Sequence, residues 1–287
     1  MQSSKTVLCI SSHVARGHVG NAAMVFAFQR LGVDVIDVPT VILPFHPGHG
    51  PGTRIPVSGD GFAGLLDDLC RRKGFERIDA VISGYLAEPD QAGAIAMTVD
   101  LLKKKNPAAI YCCDPVIGDG ASGADGRLYV DQAIAIAVRD MLIPRADVIT
   151  PNAFELSWLT GEAASDNIVL ASLAGRLGAD IALVTSAFPM MRDHAATLAV
   201  TKERALIAEG RAVAQPPHGI GDLLAALFLF HHLSGRTLDE GLRKAVASVH
   251  DLAMQTVRLQ RDELPLVAEQ HRLTQTPAVV QLRQLVF

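Results

Sequence analysis

A single carboxylate stands between a two-glycine turn and an apolar helical run in the stretch "HGIGD", residues 218–222. Gly219 and Gly221 carry no side chains, so backbone N–H groups there can approach an anion closely, and the helix behind them adds about half a positive charge. Such an anion hole suits the terminal phosphate of a nucleotide, and Asp222 is placed to accept a proton from an attacking hydroxyl. The alternative is that Asp222 only caps the helix. The stretch by itself leaves both interpretations open.

Two further stretches offer oxygen ligands. "CDPVIGDG" places Asp114 and Asp119 directly after an apolar run that reads as a buried strand, and "TPNAFE" places Asn152 and Glu155 three residues apart, on one face of a first helical turn. Carboxylates and carboxamides suit Mg²⁺, which is commonly held by few protein ligands together with waters and phosphates. The alternative for Asn152 and Glu155 is a capping box, which needs the same spacing.

Other catalytic and nucleotide signatures are missing from the sequence. No Gly-Lys dipeptide occurs, which excludes a Walker A loop, and no GxSxG elbow accompanies Ser11, Ser12 and His13, which disfavours Ser-His-Asp hydrolysis. The string "GDGASG", residues 118–123, fits GxGxxG, but no helix begins on its third glycine. We therefore interpret residues 118–123 as a loop.

Composition places the chain among ordinary globular proteins. Its 287 residues are 49% hydrophobic and 20% charged, and the formal net charge of −4 argues against a nucleic-acid or anionic membrane surface. The four cysteines form no CxxC pair, which makes a disulfide framework or a zinc site improbable. With no signal peptide and no apolar stretch near the ~20 residues of a membrane helix, we expect a soluble cytoplasmic protein.

Short β-branched runs alternate with helical patterns along most of the chain. This alternation predicts βαβ units in a mainly parallel sheet flanked by helices, and nothing in the sequence demands a division of residues 1–287 into two domains. Ligands of such sheets bind beyond the carboxyl ends of the strands. The predicted strand ends at Ser11, Ser83, Cys113, Thr150 and Ser186 should therefore meet at one crevice. Residues 196–200 and 204–208 are predicted antiparallel strands, and the chain from 220 onward is predicted to be mostly helical.

Six stretches, in order, resemble the pyridoxal kinases of the ribokinase-like superfamily over about residues 6–260: "SSHVARGHVGNAA", "SGYL", "CDPVIGDG", "ITPNAFE", "VTS" and "GIGDLLAALFL". The resemblance implies a ribokinase-like three-layer α/β fold and ATP-dependent phosphorylation of the 5′-hydroxymethyl group of pyridoxal, in vitamin B6 salvage. It further implies a homodimer, Mg²⁺, and the frequent assistance of K⁺.

The resemblance also implies roles for individual residues. Asp222 would be the catalytic base, with Gly219 and Gly221 as the anion hole. The pyridoxal contacts would be Ser12, Val19, His46, Pro47 and Tyr85. The ATP side would comprise Asp114, Asp119, Thr150, Asn152, Thr185, Ser186 and Gly219. Asp119 and Glu155 would serve the metal, directly or through water. On this interpretation Asp222 both caps its helix and takes the proton.

Three positions depart from the family's usual pattern. Ile220 stands where the glycine turn usually has Thr, Ser11 stands where Gln is usual, and the substrate-side loop reads "PFHPGH", with Phe45 and Pro47 in place of Asn and Thr. Two alternatives to a pyridoxal kinase therefore stay open. One is a kinase for another hydroxymethyl heterocycle, such as hydroxymethylpyrimidine. The other is a non-catalytic B6- or nucleotide-binding protein, against which the intact Asp222 and both glycines argue.

Overall fold

The computed structural model describes residues 4–120 and 126–286. These residues form twelve strands and eight α-helices. The strands are β1 (Thr6–Val14), β2 (Asp34–Leu43), β3 (Ile55–Pro56), β4 (Ala80–Ser83), β5 (Ile110–Cys113), β6 (Gly118–Asp119), β7 (Arg127–Leu128), β8 (Val148–Ile149), β9 (Ile181–Ala187), β10 (His194–Val200), β11 (Ala205–Arg211) and β12 (Gln281–Leu285). The helices are α1 (Asn21–Arg30), α2 (Gly59–Arg71), α3 (Asp90–Lys105), α4 (Gln132–Ala137), α5 (Ala153–Thr160), α6 (Asn167–Arg176), α7 (Ile220–Leu233) and α8 (Leu238–Arg258).

One large sheet forms the centre of the molecule, with ten strands in the order β12-β11-β10-β9-β8-β5-β4-β1-β2-β3. The six strands from β9 to β2 in this order pair in parallel. Antiparallel pairs extend the sheet at both sides, through β10, β11 and β12 at one edge and β3 at the other. The prediction of a mainly parallel sheet, with antiparallel strands near 196–200 and 204–208, is confirmed.

Helices cover both faces of the sheet, which gives the three-layer α/β architecture. On one face an apolar core lies between the sheet and helices α2 to α6. On the other face a second core lies between the sheet and helices α1, α7 and α8. Helix α7 packs between α1 and α8, and every residue from Leu223 to Leu229 is buried. This location explains why α7 is apolar on nearly every side.

The parallel strands bring their carboxyl ends to one edge of the sheet, as predicted. Backbone hydrogen bonds join each strand end to its neighbour: the N–H of Gly84 donates to Ile10 O, that of Asp114 to Ser83 O, and that of Thr150 to Cys113 O, at 2.8–3.1 Å. The N–H of Tyr85 also donates to Ser11 Oγ at 3.1 Å. The loops that carry the predicted site residues therefore leave the sheet side by side.

Several features differ from the sequence prediction. Strand β1 continues to Val14, so the predicted strand end at Ser11 is wrong. The carboxyl-terminal part, predicted as mostly helical, ends in the edge strand β12, and the loop after β5 contains the short hairpin strands β6 and β7. The predicted loop at residues 118–123 begins instead with the short strand β6. Residues 121–123 lie outside the described residues. Among the helices of the described part, none is long and apolar enough to cross a membrane.

Candidate active site

Gly219 starts helix α7 in a conformation that favours glycine. Its φ of 87° lies in the left-handed region, and a Cβ at this position would collide with the carbonyl oxygen of His18. The close approach of His18 ties the loop after β1 to residues 219–222, which we call the glycine turn. The turn is therefore held in place by the backbone of another element.

Gly221 has a different environment from Gly219. It lies within the first turn of α7, it is exposed, and a Cβ built on it meets no heavy atom of the described residues within 4 Å. Neither backbone strain nor packing against the described chain therefore requires glycine here. The first N–H groups of a helix have no partner within the helix, and the positive end of the helix dipole lies at the same place. The open surface at Gly221 is consequently suited to a close anionic ligand.

Asp222 is the third residue of α7 and is not its N-cap. The N-cap is Gly219, which has no side chain, so the sequence interpretation of Asp222 as the capping residue is wrong. The backbone N–H groups of Gly20 and of Asp222 itself lie close enough to the Asp222 carboxylate to stabilise its charge. Burial raises its pKa to about 6, against the lowering effect of these two N–H groups. A carboxylate in this state is unprotonated at neutral pH but basic enough to take a proton.

Ser12 and Gly20 join Asp222 to the first strand and helix. Gly20 has a φ of 54°, and a Cβ there would collide with the carbonyl and hydroxyl oxygens of Ser12. Because the N–H of Gly20 also lies close to the Asp222 carboxylate, the buried Ser12 is held in the neighbourhood of that carboxylate. The structure thus brings together two residues that are 210 positions apart in the sequence.

Asp114 is the most strongly perturbed acid of the site. It is 7% exposed, and its pKa lies well above its ordinary value, first because of burial and then because of the charges of Glu155 and Asp222. The buried hydroxyl Oγ1 of Thr150 makes no hydrogen bond within the described residues, although it lies near enough to Asp114 to oppose this rise in part. Three carboxylates from different elements therefore converge beside an unpartnered hydroxyl. Such an arrangement favours a cation or a proton.

Glu155 forms the capping box with Asn152 that the sequence left open. Asn152 Oδ1 accepts the N–H of Glu155 at 2.8 Å, and Glu155 Oε2 accepts the N–H of Asn152 at 2.9 Å. Glu155 Oε1 also accepts the N–H groups of Ile117 and Gly118, at 2.8 and 3.3 Å. Burial outweighs these bonds and raises the pKa of Glu155 to about 7. The carboxylate thus fixes the loop after β5 onto the start of α5.

The remaining residues predicted for ATP lie around these carboxylates. Asn152 Nδ2 donates to Gly118 O at 2.9 Å, and the N–H of Thr185 donates to Pro151 O at 2.9 Å. Asp119 is exposed on the β6–β7 hairpin and accepts the N–H of Gly120. No group of three His, Cys, Asp or Glu side chains in the described part of the chain is arranged to hold a metal ion by itself.

Backbone strain marks the same edge of the sheet. Four non-glycine residues of the described part have a positive φ, and two of them lie here, Val116 with a φ of 38° and Ser186 with a φ of 55°. Such values are costly, above all for a β-branched residue, and they are often found at functional sites. Val116 lies in the loop between Asp114 and Asp119, and Ser186 lies at the end of β9. Both strained residues therefore belong to the loops that the sequence assigned to ATP.

The predicted pyridoxal contacts belong to or follow strands β1, β2 and β4, whereas most of the predicted ATP residues belong to or follow β5, β8 and β9. Val19 is buried and precedes Gly20. Tyr85 follows β4, and its hydroxyl accepts a 2.7 Å hydrogen bond from the guanidinium of Arg54. His46 and Pro47 belong to the substrate-side loop, residues 44–49, where His46 caps the 3₁₀ turn Pro47–His49 by accepting the N–H of Gly48 at 3.0 Å.

The family departures have separate structural explanations. Ile220 packs against the apolar core beneath α1, α7 and α8, so its side chain contributes to the core. The ring of Phe45 lies 3.4 Å from the position that a Cβ on Gly52 would take, within the same surface loop. Ser11 is fully buried and accepts the N–H of Tyr85. Ser11 therefore positions a predicted substrate contact.

Sequence reasoning missed two side chains of this neighbourhood, Tyr129 and Arg54. The N–H of Tyr129 donates to Ile117 O at 3.1 Å. Tyr129 is half-exposed, and its partial burial, followed by the charges of Glu155 and Asp114, raises its pKa above the ordinary value. No spacing in the sequence indicates either position, because Tyr129 is brought in by the β6–β7 hairpin and Arg54 by the loop before β3.

Comparison with known proteins identifies the family of the chain. A family model described as phosphomethylpyrimidine kinase matches residues 75–267. The protein named pyridoxal kinase PdxY of Granulibacter bethesdensis is 38% identical over 271 residues, which cover 91% of this chain and 93% of that protein. Pyridoxal kinase PdxY of Corynebacterium diphtheriae is 35% identical over 286 residues, 97% of this chain and 99% of that protein. The chain belongs to the pyridoxal kinase family. It is therefore a kinase.

Solved structures of the family show the same fold. Pyridoxal kinase from Leishmania donovani, in complex with ADP and pyridoxine, superposes with a TM-score of 0.87 at 26% identity, over 98% of this chain and 99% of that one. Pyridoxal kinase from Entamoeba histolytica has a TM-score of 0.89 at 23% identity, over 98% of this chain and 100% of that one, and supports the fold alone.

The two glycines of the turn predict opposite phenotypes. Gly221→Ala should fold as well as the wild type, because the helical backbone accepts alanine and the methyl group meets no other atom, yet it should weaken turnover by filling the space of the anion. Gly219→Ala should lower the free energy of unfolding by roughly 1–3 kcal/mol, since the positive φ and the His18 carbonyl both oppose a Cβ. Thermal melting and steady-state kinetics of both variants check this. If Gly221→Ala keeps the turnover of the wild type, Gly221 does not lie against the bound anion.

Glu155→Gln should destabilise the protein by about 1–3 kcal/mol. A glutamine offers one acceptor oxygen where Glu155 uses two, so at least one buried N–H of Ile117, Gly118 or Asn152 loses its partner. Chemical denaturation measures the change. Glu162→Gln, an exposed glutamate just beyond the same helix, is the matched control and should be near neutral. Equal stability of the two variants would contradict the role of Glu155 as an anchor of the loop.

Proposed function

We propose that this kinase transfers the terminal phosphoryl group of ATP to the 5′-hydroxymethyl group of pyridoxal or a related B6 vitamer. The observation that carries the proposal is the Asp222 carboxylate, whose pKa is raised to about 6 beside the open surface at Gly221. A base and an anion-binding turn in one helical turn are what a phosphoryl transfer to an alcohol requires. The full-length similarity to proteins named pyridoxal kinase supports the acceptor.

In the proposed reaction, Asp222 accepts the proton of the 5′-hydroxyl as its oxygen forms a bond to the γ-phosphorus. The bond between this phosphorus and the oxygen that bridges to the β-phosphate breaks, and ADP leaves with that electron pair. The N–H groups of the glycine turn stabilise the charge on the transferred phosphoryl oxygens. The proton on Asp222 then passes to solvent, which restores the base.

We propose that ATP binds together with Mg²⁺. The bound ion would neutralise part of the phosphate charge. The convergence of Asp114, Glu155 and Asp222 beside the unpartnered Thr150 hydroxyl fits a cation. Because the oxygens of Glu155 already accept three backbone N–H groups, Glu155 would act through water, while the exposed Asp119 and the buried Asp114 are the remaining acidic candidates. We extend the proposal to K⁺, for which Thr150 Oγ1 is an available oxygen ligand.

The ATP side of the proposed site comprises Asp114, Asp119, Thr150, Asn152, Thr185, Ser186 and Gly219, and the vitamer side comprises Ser12, Val19, His46, Pro47 and Tyr85. We treat residues 1–287 as one kinase domain, an interpretation that the continuous ten-stranded sheet supports. A homodimer is the assembly that the resemblance implies, and the cytoplasm is the compartment that the sequence predicts.

A second candidate is a kinase for hydroxymethylpyrimidine. The family model that matches residues 75–267 carries the description phosphomethylpyrimidine kinase, and Phe45 and Pro47 replace the usual polar residues of the substrate-side loop. Incubation with ATP, Mg²⁺ and a panel of hydroxymethyl heterocycles, followed by mass spectrometry of the products, separates the candidates. We expect pyridoxal 5′-phosphate. Phosphorylation of the pyrimidine alone would replace the first candidate by the second.

Asp222→Asn should lower kcat by about 10²–10⁴ while ATP binding persists. Asn keeps one oxygen that can accept the N–H of Gly20, so the melting temperature should change little. Because the unprotonated carboxylate is the active form, wild-type kcat should fall as the pH drops through about 6, and the residual activity of the variant should lack this acid limb. Asp180→Asn, an exposed and distant change, is the matched control. More than about a tenth of wild-type turnover in Asp222→Asn would contradict the base assignment.

Pro47→Thr should lower the Michaelis constant for pyridoxal severalfold with little change in kcat. Pro47 is exposed at the first position of its 3₁₀ turn and has no N–H, so Thr adds a hydroxyl without breaking a backbone hydrogen bond. One neutral hydrogen bond corresponds to about two- to twelvefold in affinity. Pro51→Thr, in the same exposed segment, should have no such effect. An unchanged Michaelis constant in Pro47→Thr would show that this position does not reach the vitamer.

A further inference from the structure

Three histidines join the substrate-side loop to the glycine turn. The rings of His46 and His218 are stacked, with centroids 3.8 Å apart and an interplanar angle of 24°. The ring of His49 stands nearly perpendicular to both, with centroids 5.7 Å from His218 and 6.3 Å from His46. His218 is the residue directly before Gly219, so the contact links the loop that departs from the family to the turn that carries Asp222.

Gly48 makes this close packing possible. A Cβ on Gly48 would collide with Nε2 of His218 and would lie 2.9 Å from Nδ1 of His46. The N–H of Gly48 donates to the same His46 Nδ1 at 3.0 Å, and the N–H groups of His49 and Gly50 donate to His46 O and Pro47 O. The 3₁₀ turn is therefore folded around His46 and pressed against the ring of His218.

The segment after α8 supports the cluster from the other side. Glu263 forms an isolated parallel bridge with His218, and its carboxylate lies 3.5 Å from Nε2 of His49. Gly17 has a φ of 105°, and a Cβ there would collide with the Glu263 carboxylate. Beside Glu263, Arg16 and Asp262 form an exposed ion pair at 3.8 Å.

The packing of the three rings favours neutral imidazoles. Burial, followed by repulsion from His218 and His49, lowers the pKa of His46 to about 4. Burial and repulsion from His49 also lower the pKa of His218, against the opposing charges of Glu263 and Asp119. A histidine whose pKa is lowered in the stacked arrangement binds a proton more tightly once the rings have separated. Closure is therefore complete above the ordinary value of 6.5 and weakens as the pH falls from there towards 4.

We propose that His218 is a positioning residue that holds the substrate-side loop closed against the glycine turn through its stack on His46. The vitamer, whose proposed contacts include His46 and Pro47, then meets a preformed loop, whereas most of the residues proposed for ATP belong to or follow the other strands β5, β8 and β9. The inference rests on the proposed function. It assigns to His218 an effect on the binding of the vitamer and no effect on the binding of ATP.

The test compares His218→Ala with His218→Phe, which keeps a ring that can stack. An aromatic pair corresponds to about two- to twelvefold in an equilibrium constant. His218→Ala should raise the Michaelis constant for pyridoxal by that factor, with kcat and the Michaelis constant for ATP nearly unchanged, and His218→Phe should remain near the wild type. As the pH falls from 7.5 to 5.5, the Michaelis constant for pyridoxal should rise in the wild type. It should rise less steeply in His218→Phe, which has one titrating ring fewer. His271→Ala, an exposed histidine elsewhere, is the control.

A second measurement does not depend on catalysis. Hydrogen–deuterium exchange of the free protein reports opening of residues 48–50, whose amides are bonded within the turn. His218→Ala should speed their exchange about two- to twelvefold, and His218→Phe should not. Wild-type exchange in His218→Ala, or equal behaviour of the two variants, would overturn the proposal. If no vitamer is phosphorylated by the wild type, the proposed function fails, and the exchange rates still decide the role of His218.

Discussion

The removal of three carboxylates from water at one edge of the sheet is the constraint on which the site depends. Asp114, Glu155 and Asp222 come from three separate elements, burial raises the pKa of each, and the charges of Glu155 and Asp222 raise that of Asp114 further. Because their pKa values in the folded protein lie above those of an unfolded chain, folding is favoured by protonation, and this contribution is lost as the pH rises from about 4 to about 7. At neutral pH the charged carboxylates are therefore a source of instability that a bound cation would relieve.

The fold supplies the stabilisation that such a site needs. Glu155 is held by three backbone N–H groups, and Asp222 by two, so each charge is placed among fixed dipoles that need no reorganisation. The parallel strands align the loops, and the close contacts at Gly20 and Gly219 lock the start of α7 to the loop after β1. Most of the rigidity near Asp222 thus comes from backbone atoms.

The sequence was sufficient for features that local patterns determine. β-Branched runs separated by helical patterns predicted the parallel sheet, the all-apolar run predicted the burial of α7, and the Asn152–Glu155 spacing allowed the capping box. Features that depend on distant contacts were not predicted. The mostly polar β12 pairs with the edge of β11, and the predicted capping role of Asp222 is wrong because α7 begins at Ile220, two residues before Asp222. The stack of His46 on His218 likewise joins residues far apart in the chain.

The departures from the family pattern fall outside the atoms proposed to move the phosphoryl group. Ile220 points into the apolar core, so the change from the usual threonine leaves the open side of the glycine turn to Gly221 and Asp222. Phe45 packs over Gly52 within its own loop. The sheet edge and α7 fix the catalytic groups, whereas the substrate-side loop leaves β2 near the far edge and touches the turn mainly through imidazole rings. Changes in that loop can therefore alter which acceptor binds while the transfer chemistry stays the same.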